Sequence, residues 1–193
     1  DFCLSRGLGD VYKRQDYLLV GERKGRKPRG FDLGNSPLEF VPEVVEGRTL
    51  IVTTTSGTTT LVRCHRADHV LVGAFLNAVA VTEKATELAH KRKTNVSFVL
   101  AGEKGLFSLE DLLCAGAIAS KFPADRFDLS DKALASVFAF EHVKDALSEH
   151  VMRSRHAKHL VELGFRKDIS FSCKLDHFGI VPVYTNGKVT LMQ

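Results

Sequence analysis

The stretch RTLIVTTTSGTTTLVR, residues 48–63, decides the fold class of this chain. Its first part, Arg48–Thr54, is β-branched and apolar, which predicts a strand. Its second part, Thr55 to Thr60, is a run of hydroxyl residues around Gly57 that opens a helix-like segment reaching Arg66. A strand feeding a helix through such a turn is the repeating unit of α/β proteins.

Outward from this stretch the pattern recurs. Asp16–Gly21 is a short apolar run closed by glycine, predicting a first strand, and His69–Ala74 and Asn95–Ala101 predict a third and a fourth. Asn77 stands where it can cap a helix over Ala78–Arg92, whose apolar face is Ala78, Val81, Ala85, Leu88 and Ala89. Ser108 with Asp111 three residues on is a capping-box variant that opens a helix to about Lys121. Asp131–His150 and Val151–Leu163 predict two more helices, the second stopped by Gly164. Ile169–Cys173 and Ile180–Tyr184 read as short strands, with Asn186 and Gly187 as a hairpin turn. The alternation predicts an α/β fold, a layered α/β/α arrangement around a mainly parallel or mixed sheet.

Composition excludes several classes. With 193 residues, 44% of them hydrophobic, the chain can bury a core. No apolar run approaches the roughly 18 residues of a membrane span. The net charge of +4 is mixed along the chain, and the basic cluster Arg23–Lys27 has no interleaved aromatics. It therefore reads as a solvated or anion-facing loop, with no nucleic-acid partner expected. The four cysteines lie far apart without CxxC spacing, which predicts reduced thiols and a cytoplasmic protein. Residues 1–15 lack periodicity and resemble a translated adaptor leader, so they are set aside as foreign to the fold. Residues 16–193 are taken as the domain.

Three segments carry residues suited to chemistry. Thr53–Thr60 combines hydroxyls with a glycine at a helix start, which suits an anion; it is equally a Thr-rich turn with Ser56 as N-cap. Residues 21–42 form a long loop, broken by glycines and prolines, that holds Arg23, Asp32 and Glu39. Arg23 suits phosphate, carboxylate or sulfonate, and the two acids suit Mg²⁺; a polar loop with a surface ion pair accounts for them as well. In the third segment Glu110 and Asp111 fall in the first turn of a helix, where its dipole favours acids, or serve as a metal ligand or general acid–base group. Cys114, on the same face as Asp111, is a nucleophile or a small buried residue. The pairs His65/His69 and His156/His159 lack the carboxylates of a zinc set and read as solvated faces.

These segments, in order, resemble those of one family. GER (21–23), GFDLGNSPLE (30–39), TTTSGT (53–58), Asn77-Ala78 and EDLLCAG (110–116) are similar to the motifs of the 2-phosphosulfolactate phosphatases, across about residues 16–184. The resemblance implies Mg²⁺-dependent hydrolysis of 2-phosphosulfolactate to 3-sulfolactate and phosphate, a step of the coenzyme M biosynthesis type. It implies catalytic roles for Asp32, Asp111 and Cys114, with metal-activated water preferred to the thiol as nucleophile. It places Arg23, Asn35, Ser36, Thr55, Ser56, Gly57 and Thr58 on the substrate, and Asp32, Glu39 and Glu110 on the metal. A small anionic phosphate ester is the expected partner, with self-association left open. Two features depart from the family. Its first strand and DVLRAT-type motif are absent, and Ser56 stands where asparagine is common. Two other readings remain: a phosphatase for another 2-hydroxy-acid ester, and a non-catalytic anion-binding relative.

Overall fold

The computed structural model describes residues 17–192; the leader reading of residues 1–15 and Cys3 lie outside them. The chain divides into two compact units, one ending at Thr55 and one beginning at Ser56.

The first unit is built on two parallel strands, β1 (Tyr17–Gly21) and β2 (Thr49–Thr53), paired from Tyr17–Thr49 to Gly21–Thr53. Leu18 and Val20 of β1 are buried, Val20 at 1% exposure, and burial of one such side chain contributes about 1.5–3 kcal/mol. The other edge of β1 receives residues 32 and 33, whose amides donate to the Leu19 carbonyl at 2.9 and 3.2 Å. The segment between the strands holds a 3₁₀ turn at Pro37–Glu39 and a one-turn helix, α1 (Pro42–Val45). Each starts with proline, whose fixed φ favours the first helical position.

The second unit is mostly helical: α2 (Gly57–Arg63), α3 (Ala78–Arg92), α4 (Leu109–Ala119), α5 (Asp131–Val143), α6 (Leu147–Val151), α7 (Arg155–Glu162) and α8 (Arg166–Ser172), followed by the antiparallel hairpin β3 (Pro182–Thr185) and β4 (Lys188–Leu191). Helix α4 lies at the centre. Its Leu113 and Ala117 join Phe75, Phe140, Leu147, Val151, Ala157 and Ile169 in one core, while Ile118 joins Ala78 and Val81 in another. Gly116 sets the distance to α5, because a Cβ there would stand 2.0 Å from the Ser136 carbonyl oxygen.

The α/β class holds, and the strand pairs are of both kinds, one parallel and one antiparallel. Both strands of the deciding stretch's unit, α3, the start of α4 and the Asn186–Gly187 turn, with φ of +51° and +81°, fall where expected. Several elements differ. His69–Ala74 forms only a single antiparallel bridge, Leu71 with Val183. There the Asn77 amide group donates to the Val72 and Ile180 carbonyls, at 3.2 and 3.1 Å, and its Oδ1 accepts the Ala74 amide at 2.8 Å. Asn77 thus faces backward, and Asp176 instead accepts the Val79 amide at the start of α3, at 2.6 Å. Asn95–Ala101 forms no strand and has no strand partner among the described residues, and Val99 stays 60% exposed.

The helix predicted over Asp131–His150 is broken by a 3₁₀ turn at Lys144–Ala146. Its successor starts at Arg155 rather than Val151, because Ser154 accepts the Ala157 amide as N-cap. Ile169–Cys173 is helix, not strand. Its alternation of apolar residues with serine mimics a strand, yet Ile169 and Cys173, four apart, meet the same core.

Candidate active site

In the first unit the loop after β1 closes as a tight turn, with Arg23 and Arg26 exchanging backbone hydrogen bonds at 2.9 and 3.2 Å. Lys24 and Gly25 at its tip have φ of +56° and +75°. Glu22 anchors this turn to the end of β2. Its Oε1 accepts the Thr55 amide at 2.7 Å and the Thr55 hydroxyl at 2.6 Å, and its Oε2 accepts the Gly25 amide at 2.9 Å. Burial opposes ionisation here most strongly, but the Thr55 hydroxyl, the two amides and the Arg23 charge together hold the carboxyl below its ordinary range. Arg23 donates from Nη2 to the Thr53 hydroxyl at 2.8 Å and from Nη1 to the Glu22 carbonyl at 2.9 Å, which fixes its guanidinium at the strand ends.

The GFDLGNSPLE loop lies in the same unit. Asp32 is exposed and its Oδ2 accepts the Leu19 amide at 2.7 Å, locking the carboxylate against β1. Glu39 accepts the Gly34 amide through Oε2 at 2.7 Å. Asn35 is exposed, and Ser36 is buried where the 3₁₀ turn begins. Each of these two carboxylates has its other oxygen outside these bonds, and exposed carboxylate oxygens are the donors Mg²⁺ takes, one or two from protein with the rest from water and phosphate. No cluster of three or more His, Cys, Asp or Glu suited to a metal occurs among the described residues.

In the second unit the loop after residue 101 repeats the turn of the first. Glu103 and Leu106 exchange backbone hydrogen bonds at 3.1 and 2.9 Å, and Lys104 and Gly105 have φ of +52° and +78°. The Lys104 amide donates to the Ser56 hydroxyl at 3.4 Å, which joins this turn to the segment Ser56, Gly57 and Thr58 at the start of α2. Ser108 caps α4 by accepting the Asp111 amide at 3.2 Å, as the sequence predicts. The Asp111 carboxylate does not complete a capping box. It accepts the Gly102 amide at 2.7 Å, so its role in this structure is to hold the loop. Glu110 is partly buried beside it.

Cys114 packs against both cores, and burial, then the Asp111 charge and Cys173, push its thiol up to about 12. Cys173 is pushed up to about 11 by burial and then by the Glu110 charge. Such thiols carry almost no thiolate at neutral pH, so the geometry treats Cys114 as a small core residue and gives the nucleophile reading no support.

The sequence reading missed a polar cluster in this unit. Glu103 accepts from Arg155 Nη2 at 2.9 Å and has the Lys104 Nζ at 3.8 Å and His156 Nδ1 at 3.9 Å. From sequence, His156 and His159 are expected to form a solvated face. His159 fits that, lying exposed beside Glu162 at 3.8 Å, but the His156 Nδ1 is shielded from solvent and lacks a hydrogen-bond partner. No local pattern could reveal this cluster, because Glu103 and Arg155 are 52 residues apart.

The fold and these loops define an α/β protein that carries its carboxylates, hydroxyls and arginines at the ends of strands and helices. A family model described as 2-phosphosulpholactate phosphatase matches residues 6–187. Among curated proteins, the "Probable 2-phosphosulfolactate phosphatase" of Thermotoga petrophila is 41% identical over 181 residues, 94% of this chain and 76% of that protein. The protein of that name from Caldanaerobacter subterraneus subsp. tengcongensis is 41% identical over 96% of this chain and 76% of its own length, and that from Clostridium acetobutylicum 39% over 91% and 73%. The chain belongs to the 2-phosphosulfolactate phosphatase family, enzymes classed as phosphoric monoester hydrolases. No helix among the described residues is long and apolar enough to cross a membrane.

Proposed function

We propose that the protein hydrolyses 2-phosphosulfolactate to 3-sulfolactate and phosphate with Mg²⁺, the coenzyme M biosynthesis-type step. The observation that carries this reading is the GFDLGNSPLE loop, which lies within the span the family model matches and whose Asp32 accepts the Leu19 amide. Asp32 and Glu39, which share the first unit, are the residues we assign to the metal. When bound, Mg²⁺ would polarise the phosphate and lower the pKa of a coordinated water. To the phosphate oxygens we assign Ser56, Gly57 and Thr58 at the start of α2, and to the rest of the substrate Asn35, Ser36 and Thr55. Arg23, already oriented by Thr53, offers its remaining N–H groups to a carboxylate or sulfonate. Asp111 keeps the Glu103–Leu106 turn in place. The free thiols Cys64, Cys114 and Cys173 support a cytoplasmic setting.

Phosphate release from 2-phosphosulfolactate, measured with Mg²⁺, with EDTA and for Asp32→Ala, tests the proposal. EDTA should abolish turnover, and Asp32→Ala should lower it by roughly 100-fold or more. Full activity in Asp32→Ala overturns the metal assignment. Ligand-dependent thermal stabilisation without phosphate release would favour a non-catalytic relative.

A further inference from the structure

We infer that a cavity at the start of α7 binds the acidic end of the substrate remote from its phosphate, with Arg155 and His156 as recognition groups; the inference rests on the function proposed above. The cavity, of about 260 Å³, lies between the Glu103–Glu110 segment and α7 and is the size of a small organic anion. Arg155 spends one guanidinium nitrogen on Glu103 and has N–H groups to spare at the cavity mouth. Glu103 faces both Arg155 and Lys104, so its single negative charge is more than balanced by these two cations.

The shielded His156 Nδ1 lacks a partner, and in the tautomer that carries its hydrogen it can donate to a ligand oxygen. Ser108 and Ser154 reach the same cavity, each 7% exposed, and each accepts one amide of its own helix. A hydroxyl that accepts in this way still has its hydrogen to donate. Phe107, 68% exposed, supplies an apolar wall for a carbon skeleton. Glu110, partly buried, also lies on the wall.

The position of the cavity points to the far end of the same substrate. Ser56, at the head of the segment assigned to phosphate, is hydrogen-bonded to Lys104, and Glu103 next to it is a cavity wall. One short molecule can therefore lie along Ser56, Glu103 and Arg155, its phosphate at the first and its second acid at the last. The group bound is the tetrahedral sulfonate or the planar carboxylate, both acceptor-only anions that an arginine fork recognises.

The test compares wild type, Arg155→Gln, His156→Ala and His156→Gln on three esters: 2-phosphosulfolactate, the ester lacking the sulfonate, and the ester lacking the carboxylate. On the full substrate Arg155→Gln should lower kcat/KM by about 10–100-fold, mainly through KM. His156→Gln, which keeps a hydrogen-bonding group, should recover much of the loss seen in His156→Ala. The ester lacking the bound group should be slow in wild type and indifferent to the substitutions, which identifies that group. Equal loss on all three esters, or no loss on any, overturns the inference. If wild type releases phosphate from none of them, the functional proposal fails separately. Thermal unfolding with 3-sulfolactate then decides the cavity: stabilisation in wild type that Arg155→Gln abolishes supports it, and none in wild type overturns it.

Discussion

The Asp111 carboxylate accepts the Gly102 backbone amide at 2.7 Å, while the Asp111 amide is itself accepted by Ser108. Through these two bonds the first turn of α4 holds the Glu103–Leu106 turn, and with it the loop end that meets Ser56. An acid in a helix first turn is here a loop anchor as well as a partner for the helix dipole.

Asp111→Ala should therefore destabilise the fold by about 2 kcal/mol, the scale of a hydrogen bond to a charged group, seen as a lower denaturant midpoint. Asp111→Asn keeps an acceptor for Gly102 and should lose less, about 1 kcal/mol, with kcat within about tenfold of wild type and an unchanged pH–rate profile. A loss of an acidic or basic limb from that profile in Asp111→Asn would make Asp111 a proton-transfer group instead.

Glu22 links pH to stability. Its carboxyl lies below its ordinary value of 4.5 in the folded protein, so the folded state binds its proton less readily than the unfolded chain. Its contribution is fully present above about 4.5 and is lost as pH falls through the lower folded value. Glu22→Gln should cost stability at pH 7, and the difference from wild type should shrink steadily below pH 4.5. A difference that is constant across this range in denaturant titrations would refute the assignment.

Cys114 should behave as a core residue. With a thiol near 12, about one molecule in ten thousand carries thiolate at pH 8, so iodoacetamide should modify it far more slowly than a free cysteine. Cys114→Ala should keep kcat within about threefold and cost about 1 kcal/mol for the lost contacts. A collapse of kcat in a folded Cys114→Ala enzyme would restore the nucleophile reading.

Gly116 should be intolerant of a methyl group. The added Cβ would lie 2.0 Å from the Ser136 oxygen and 2.9 Å from the Phe140 Cβ, so α4 and α5 must separate. Gly116→Ala should cost at least about 1–3 kcal/mol, lowering Tm by several degrees. Gly179→Ala is the control: nothing lies within 4 Å of its Cβ, and it should be neutral or slightly stabilising.

Much of this protein was legible in its sequence, where the deciding interactions are local. The RTLIVTT run, the helix over Ala78–Arg92, the Ser108 cap and the Asn186–Gly187 turn follow from side-chain period, capping chemistry and backbone preference within a few residues. The motifs that carry the family resemblance are likewise contiguous, and the relatives confirm the family they point to.

What needs a distant partner was decided only by the tertiary structure. Residues 69–74 and 95–101 have strand composition, but a strand exists only where another segment pairs with it, and one meets a single bridge while the other meets none among the described residues. Ile169–Cys173 alternates like a strand yet folds as a helix because its fourth-neighbour contacts reach the core. In the deciding stretch itself, composition specified β2 and α2, but it did not show that Ser56 would bind Lys104 or that Thr55 would bind Glu22. Those bonds span 48 and 33 residues, and loop closure on that scale leaves no local trace in the sequence.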